Sequence, residues 1–536
     1  MMPATRRLLA WMLPLLLLAG VLRLIGIGHG LPFALMGGAD LVPGILPGAP
    51  TAQAGVLLPW LQLVVCLPVV AVSWLTHGLP GGARFDWVLL DSAGAMMPAA
   101  RLVSLAFSLA TVALVALTAR RLFDDRLAGI VAGLLMATSW LACAYAHSAG
   151  RWSAMAFFIW LAIYIAVRYG SRPGPRRALL LGLAGGLGFG TGLAGGLGLL
   201  AGLVVHLARY KTRALNRNLA WLVGPAVLLG AFFTVLAVPT EQPGEGVGAA
   251  VRLFLETAWW ADPVLLLGGL PGMVLLLRRH VRLVGLMLAA VVLWTLVAAW
   301  TGLAGEGALL PVLPVFALAA GGGALWLSDR LPQRPALIAV GLGGLALLYP
   351  LVTAAGFSLL LAADDTREQA ADWLEANLAA GSAVVVDLAP VTVPASLDGL
   401  LDQELYLPGT LDSRMRLALE GGWPGDDQPV LRTVNIDNAA PQASDADAGR
   451  ALFATLREAG YDTFAIGLSE EATPSGLQRA VLAGYETLAL FLSAEADDAP
   501  ATPDLAGTGL VDGPVWRLLQ LDRLGPSVLV ARVGAP

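Results

Sequence analysis

Long apolar runs alternate with short polar or basic turns from residue 8 to residue 357, and then the pattern stops. Eleven runs, at 8–27, 55–77, 100–118, 127–147, 152–168, 178–207, 219–239, 258–277, 283–303, 309–327 and 335–357, lie near the roughly 20 residues that a helix needs to cross a bilayer. The pattern predicts a polytopic α-helical membrane protein of about 11–13 transmembrane helices. The start, MMPATRRLLAWMLPLLLLAGVLRL, has a basic head and an apolar middle but no small-residue cleavage site after it. It reads as a retained first helix with Arg6 and Arg7 inside. The basic turns RYGSRPGPRR, RYKTRALNR, RRHVR and SDRLPQR are expected on the cytoplasmic side, which alternates the later helices cleanly and leaves everything after residue 357 outside. Run 178–207 begins and ends at such turns. It is therefore expected to be a hairpin of two short helices bent near Gly190 to Gly192, its glycines allowing close packing. Before residue 168 the crossings do not balance, so a segment within 55–99 must be re-entrant or hide a further crossing.

After residue 363 the period changes. DTREQAADWLEANLAAGSAVVVDL and ATLREAGYDTFAIGLS each read as a helix, a glycine turn and a strand. GPVWRLLQLDRLGPSVLVARV reads as a closing pair of strands, and the Pro-, Asp- and Asn-rich stretch 421–448 as a loop. The expected organisation is a membrane domain at 1–362 and a soluble α/β domain at 363–536.

Charge sharpens that division. Only 13% of the 536 residues are charged and 57% are hydrophobic. The net charge of −5 conceals 27 acids against 10 arginines after residue 363, and 11 acids against 23 Lys and Arg before it. An acidic outer domain does not suit nucleic acid, whose phosphates need a basic face. The two cysteines, Cys66 and Cys143, lie in apolar runs and are expected to pack as small hydrophobes. There is no CxxC or His/Cys cluster to suggest zinc, and no glycine-rich nucleotide fingerprint follows a strand. Trp259 and Trp260, followed by Asp262 and Pro263, fit an aromatic belt at the outer interface.

Four stretches, in order, resemble the GT-C-type glycosyltransferases that use polyprenyl-phosphate sugars, including protein O-mannosyltransferases and aminoarabinose transferases. They are LRLIGIGHGLPFALMGGADL, PAARLVSLAFSLATVALVALTARRLFDDRLAGIVAGLLMATSWLACAYAHSAGRWSAMAFFIWLAIYIAVR, ALLPVLPVFALAAGG and DTREQAADWLEANLAAGSAVVV. The resemblance implies a GT-C-like bundle that moves a hexose or pentose from a polyprenyl-phosphate carrier to a protein, lipid or cell-envelope glycan. The implied setting is the outer face of a bacterial inner membrane, with the N-terminus cytoplasmic and the C-terminal domain periplasmic. The family's first outer loop carries a catalytic acid, and the matching position is Asp40. It would act as base on the acceptor or hold a divalent cation, Mg or Mn, the only cofactor the resemblance admits. A carboxylate in a loop shielded from water is also physically suited to take a proton, because desolvation raises its pKa. Arg151, His147, Arg23 and His29 are the candidates for the donor phosphate, and Glu306 for a second acid.

The chain departs from the family where Leu41 follows Asp40, where Trp152 and Ser153 follow Arg151, where Gly305 to Ala308 precede Leu-Leu-Pro, and where GVLLPW replaces His-Pro-Pro. These departures define the alternative, a catalytically inactive GT-C-like scaffold or assembly partner. A transporter is disfavoured, since its ionisable residues would lie at mid-bilayer and repeats would be expected.

Overall fold

The computed structural model describes residues 3–29, 57–76, 93–236, 247–300, 306–330, 336–388, 391, 393–411, 413–421, 429–436, 446–468, 474–492 and 515–533. Its membrane part runs α1 (Pro3–Leu24), α2 (Leu57–Thr76), α3 (Ala93–Phe123), α4 (Arg126–Thr138), α5 (Trp140–His147), α6 (Trp152–Ser171), α7 (Pro175–Phe189), α8 (Gly198–Tyr210), α9 (Arg217–Leu236), α10 (Val247–Ala261), α11 (Pro263–Trp300), α12 (Leu313–Ser328) and α13 (Ala336–Leu360). Every apolar run forms a helix or a helix pair. Among the described residues five are long and apolar enough to cross a membrane, and up to seven if each of two sharply bent pairs counts as one span. Four further apolar helices lie among the described residues, of which α1 (22 residues), α2 (20) and α13 (25) have the length of a span.

The expected hairpin is present. Chain direction reverses after α7 at Gly190–Gly192, and Leu181 of α7 packs against Gly202 of α8. Gly188 and Gly195 face each other so closely that a Cβ on either would overlap the other's carbonyl oxygen, so packing needs glycine there. RRHVR joins two helices within α11 as expected, but as a sharp break and not a loop: His280 alone leaves helical geometry there (φ −131, ψ 43), so the apolar stretches Pro263–Arg278 and His280–Trp300 are separate. The His280 ring lies 6.1 Å from Phe123, which places the RRHVR and RRLFDDR turns at one end of the bundle.

One predicted span, 127–147, is broken. α4 and α5 meet at Ser139 with a 53° bend. A continuous helix would pair the Trp140 N–H with the Met136 carbonyl, and the Leu141 N–H with the Ala137 carbonyl. Two charged side chains from elsewhere replace those bonds. Arg23 of α1 donates to Met136 O (3.1 Å) and Ala137 O (2.9 Å). Asp262, between α10 and α11, accepts from Trp140 N (3.0 Å), Leu141 N (3.4 Å) and the Ser139 hydroxyl (2.8 Å). The cation meets the carboxyl end of α4 and the anion meets the amino end of α5, as the helix dipoles favour. Asp262 is thus a buried cap and not part of an interface belt, because an opened backbone inside an apolar bundle must be satisfied from within. Cys66 and Cys143 are both free and buried, as their apolar settings predict.

The C-terminal part comprises α14 (Thr366–Asn377), β1 (Ala383–Asp387), α15 (Leu397–Tyr406), α16 (Ser413–Gly421), β2 (Arg432–Asn435), α17 (Ala446–Glu458), β3 (Thr463–Leu468), α18 (Gly476–Leu482), β4 (Glu486–Phe491) and β5 (Ser527–Arg532). The strands make one sheet in the order β2-β1-β3-β5-β4, parallel from β2 to β3 and antiparallel from β3 to β4. Both helix–strand units are as predicted. Two expectations are corrected. The 421–448 stretch contains strand β2, which pairs with β1 despite its polar surroundings. VWRLLQ is a 3-10 helix, Val515–Gln520, and not a strand; β4 is the true neighbour of β5. That 3-10 helix packs on α13, where a Cβ at Gly356 would overlap the Leu519 side chain.

Candidate functional site

Where α1 ends, the chain turns through Ile25–His29 with Gly26 at φ +76, and a Cβ there would overlap Leu361. This turn presents three carbonyls to side chains of other elements. Ile25 O meets His147 Nε2 at 2.8 Å. Ile27 O and His29 O accept from Arg101 Nη1 at 2.8 and 2.6 Å. The other His147 nitrogen, Nδ1, lies 2.8 Å from Cys143 O. A neutral ring donates to one of these two carbonyls and an imidazolium to both.

The third wall comes from the C-terminal part. Asp365 caps α14 and holds Arg367 side-on, Nε to Oδ1 at 2.9 Å and Nη2 to Oδ2 at 3.0 Å. Glu368 completes the capping box, its Oε2 accepting from Asp365 N at 3.1 Å. Gly525, at φ +99, leaves room for this cap, since a Cβ there would overlap Asp365 and Thr366. Electrostatically Arg101 faces Glu368, and His29 faces Asp365, Arg101, Arg367 and His147.

Several polar atoms in this buried cluster have no hydrogen-bond partner: both ring nitrogens of His29, Nε and Nη2 of Arg101, Oγ of Ser104 and Oε1 of Glu368. Arg101 and Ser104 are fully buried and three residues apart, on one helix face. Buried polar groups are ordinarily satisfied, so a concentration of exceptions marks a place built for something else.

Burial sets the protonation of the two groups outside the spans. It lowers the His29 imidazole to about 4. It raises the Glu368 carboxyl to about 7, with the neighbouring Asp365 and Asp364 charges adding to the rise. Between pH 4.5, the ordinary Glu value, and about 7, the folded protein holds a proton on Glu368 that the unfolded chain releases. Stability therefore falls as pH rises through that window. His29 acts oppositely: from about 4 to its ordinary 6.5 the unfolded chain binds the proton, so stability rises with pH. Glu368→Gln cancels only the first effect. Its unfolding free energy is expected to gain on wild type between pH 5 and pH 8, by on the order of 1–2 kcal/mol after screening. A constant difference between variant and wild type across that range excludes a raised Glu368.

The candidates from sequence fall into separate places. His29 and His147 join the cluster. Arg23 lies fully buried at the α4–α5 break, its guanidinium committed to Ser108 Oγ, Ala19 O, Ala137 O and Met136 O. Arg151 opens α6 and stacks on Trp152, its Cζ 5.2 Å from the ring centroid. Trp152 in turn packs on Gly307 in the 3-10 helix Glu306–Leu309, so Arg151 and Gly307 share a neighbour. Trp160 and Trp294 anchor that approach by donating to Pro311 O (2.9 Å) and Ala308 O (2.6 Å). Asp40 and the Glu306 side chain lie outside the described residues. Within those residues no three His, Cys, Asp or Glu side chains cluster to hold a metal ion. Arg101 and Ser104 lie in a stretch that resembles the family, and Glu368 in another, but none of the three is given a site role from sequence. The available signal was a lone arginine, then a serine three residues on, inside an otherwise apolar helix.

The bundle, its broken span and this junctional cluster define a multi-pass membrane protein with a polar site under an α/β domain. Residues 80–237 match the family described as dolichyl-phosphate-mannose-protein mannosyltransferase. The matched segment covers under a third of the chain and carries Arg101, His147 and Arg151. Among solved structures, the archaeal oligosaccharyltransferase AglB from Archaeoglobus fulgidus, in complex with an inhibitory peptide and a dolichol-phosphate, is similar at TM-score 0.48 and 11% identity, over 86% of this chain and 69% of that one. ArnT from Cupriavidus metallidurans, bound to undecaprenyl phosphate, is similar at TM-score 0.46 and 13% identity, over 98% and 99%. The arabinofuranosyltransferase AftD from Mycobacteria is similar at TM-score 0.41 and 18% identity, over 97% of this chain and 41% of that one. No curated protein matches the sequence.

Proposed function

We propose that the protein transfers a hexose or pentose from a polyprenyl-phosphate carrier to a hydroxyl of a protein, lipid or envelope glycan. The reaction takes place at the outer face of a bacterial inner membrane, with the N-terminus cytoplasmic and the C-terminal domain outside. The observation that carries this reading is the family match over 80–237, whose helices supply Arg101, His147 and Arg151. Asp40 takes the acceptor proton, and Arg151 steadies the donor phosphate from the loop where it stacks on Trp152. The five helices long and apolar enough to cross a membrane, and the exposed leucines and valines along α2 and α9, suit a protein embedded in lipid.

Transfer is measured with purified protein, radiolabelled polyprenyl-phosphate sugars and crude envelope acceptors. Asp40→Asn is expected to lower transfer at least about 100-fold. Chelation followed by return of Mg or Mn tells whether Asp40 acts through a cation. Transfer unchanged in Asp40→Asn moves the base elsewhere, with Glu306 next. Folded protein that transfers no sugar from any donor leaves the scaffold reading.

A further inference from the structure

The end of the bundle opposite Arg151 carries a concentration of positive charge that the proposed reaction does not use. α6 is 20 residues long, so about 30 Å separates Arg151 from the turn at its other end. That turn, RYGSRPGPRR, and the α8–α9 turn, RYKTRALNR, hold four Lys or Arg each. No Asp or Glu occurs between residues 126 and 240, and among the described residues none of these eight cations pairs with an acid. The ordinary basic bias of one membrane side does not require this. RRLFDDR and SDRLPQR temper their arginines with Asp124, Asp125 and Asp329. Helix stability does not require it either, since Arg176, Arg177 and Arg217 occupy first turns, where the helix dipole disfavours cations. The fold gathers the two turns. Leu222 and Ala226 of α9 close the space beside Gly182 and Gly186 of α7, so the two helices run parallel and start at one end. Arg177 Nη1 donates to Arg172 O, and the Tyr169 hydroxyl meets His206 Nδ1 at 2.8 Å, which ties the end of α6 to α8.

The second turn is held in shape by its own polar groups. His206 is fully buried, and its Nε2 meets Ala214 O at 2.8 Å. Asn216 Oδ1 accepts from Asn218 N (2.9 Å) and Leu219 N (3.3 Å), and Asn218 Nδ2 donates to the Tyr210 hydroxyl (2.7 Å). The cations of this turn, Arg209, Lys211, Arg213 and Arg217, are all exposed. Apolar side chains stand among them. Leu215 is 91% exposed between Arg213 and Arg217, and Leu207 and Trp221 are exposed on the adjoining helices. We infer that this face binds the headgroups of anionic phospholipids, its cations meeting the lipid phosphates while Leu215 enters the apolar region beneath them. An acidic protein in water would answer the charge but not the leucine beside it. A turn already held in shape also spares the cost of ordering it on binding. The surface is separate from the proposed transfer site and its sugar carrier, and its existence does not depend on that reading.

Full-length protein in neutral detergent micelles is titrated with phosphatidylglycerol, and bound lipid per protein is read by native mass spectrometry. Phosphatidylcholine serves as the uncharged control. The double variant Arg177→Gln with Arg217→Gln is expected to raise the apparent Kd for phosphatidylglycerol at least about tenfold. Arg278→Gln with Arg282→Gln removes the same charge from exposed positions beside the α11 break, and should stay within about twofold of wild type. Leu215→Ser alters a side chain that packs on nothing, so the fold should hold and Kd should rise about threefold. Equal loss in the two arginine pairs overturns the inference, because diffuse charge then accounts for binding. No loss in Arg177→Gln with Arg217→Gln overturns it outright, as does equal binding of phosphatidylcholine. If that pair does not fold, Leu215→Ser decides alone. Displacement of the lipid by millimolar inorganic phosphate, with Leu215→Ser unchanged, overturns the lipid assignment in favour of a free anion. Binding of a polyglutamate peptide in place of phosphatidylglycerol, with the same dependence on Arg177 and Arg217, overturns it in favour of an acidic protein.

Discussion

Arg23→Met is expected to destabilise the folded membrane domain by about 3–5 kcal/mol, the range for breaking a buried charged network from one side. Three consequences combine. The Met136 and Ala137 carbonyls lose their donors at the α4–α5 break, where the interrupted helix cannot bond them itself. Ser108 Oγ loses the Arg23 Nε bond that ties α1 to α3. Asp262, across the break, loses the opposite charge that offsets its own. Arg23→Lys should lose less, because an ammonium supplies donors and charge but spans fewer of the four acceptors. The check is unfolding in a graded denaturing detergent, followed by tryptophan fluorescence. A midpoint for Arg23→Met equal to wild type would show that the guanidinium does not hold the break.

The second large effect is Asp262→Ala, expected to cost about 3–5 kcal/mol by leaving three buried donors, Ser139 Oγ, Trp140 N and Leu141 N, without an acceptor. Asp262→Asn keeps one side-chain oxygen and should fall between alanine and wild type. Arg23 and Asp262 serve two faces of one break, so their effects should not add. The double variant Arg23→Met with Asp262→Ala is expected to lose less than the two single losses together, since neither then leaves an isolated buried charge. Strict additivity in the same unfolding assay would mean that the two residues act on separate features.

Local pattern made much of this protein readable in advance. Apolar run length located the membrane helices, and the glycine repeat with basic turns at both ends foretold the α7–α8 hairpin. Turn chemistry and period marked both helix–strand units of the C-terminal domain. These are properties of contiguous residues, decided by how a short segment meets water, lipid and its own backbone. His29 and His147 were also recognisable, because a polar side chain at the end of an apolar run stands out.

The tertiary structure decided the rest. Strand β2 lies in a polar stretch and exists because β1 offers it a partner, and VWRLLQ yields to a 3-10 turn that docks on α13. In sequence Arg23 reads as a donor-phosphate candidate and Asp262 as part of an interface belt, near two different helix ends. Only the fold brings them, 239 positions apart, to the two sides of one broken helix. Arg101 and Glu368 lie 267 positions apart in segments of opposite character, one apolar and one acidic. Their proximity arises from long-range packing of the α1 turn, α3 and the start of α14, which no local periodicity encodes.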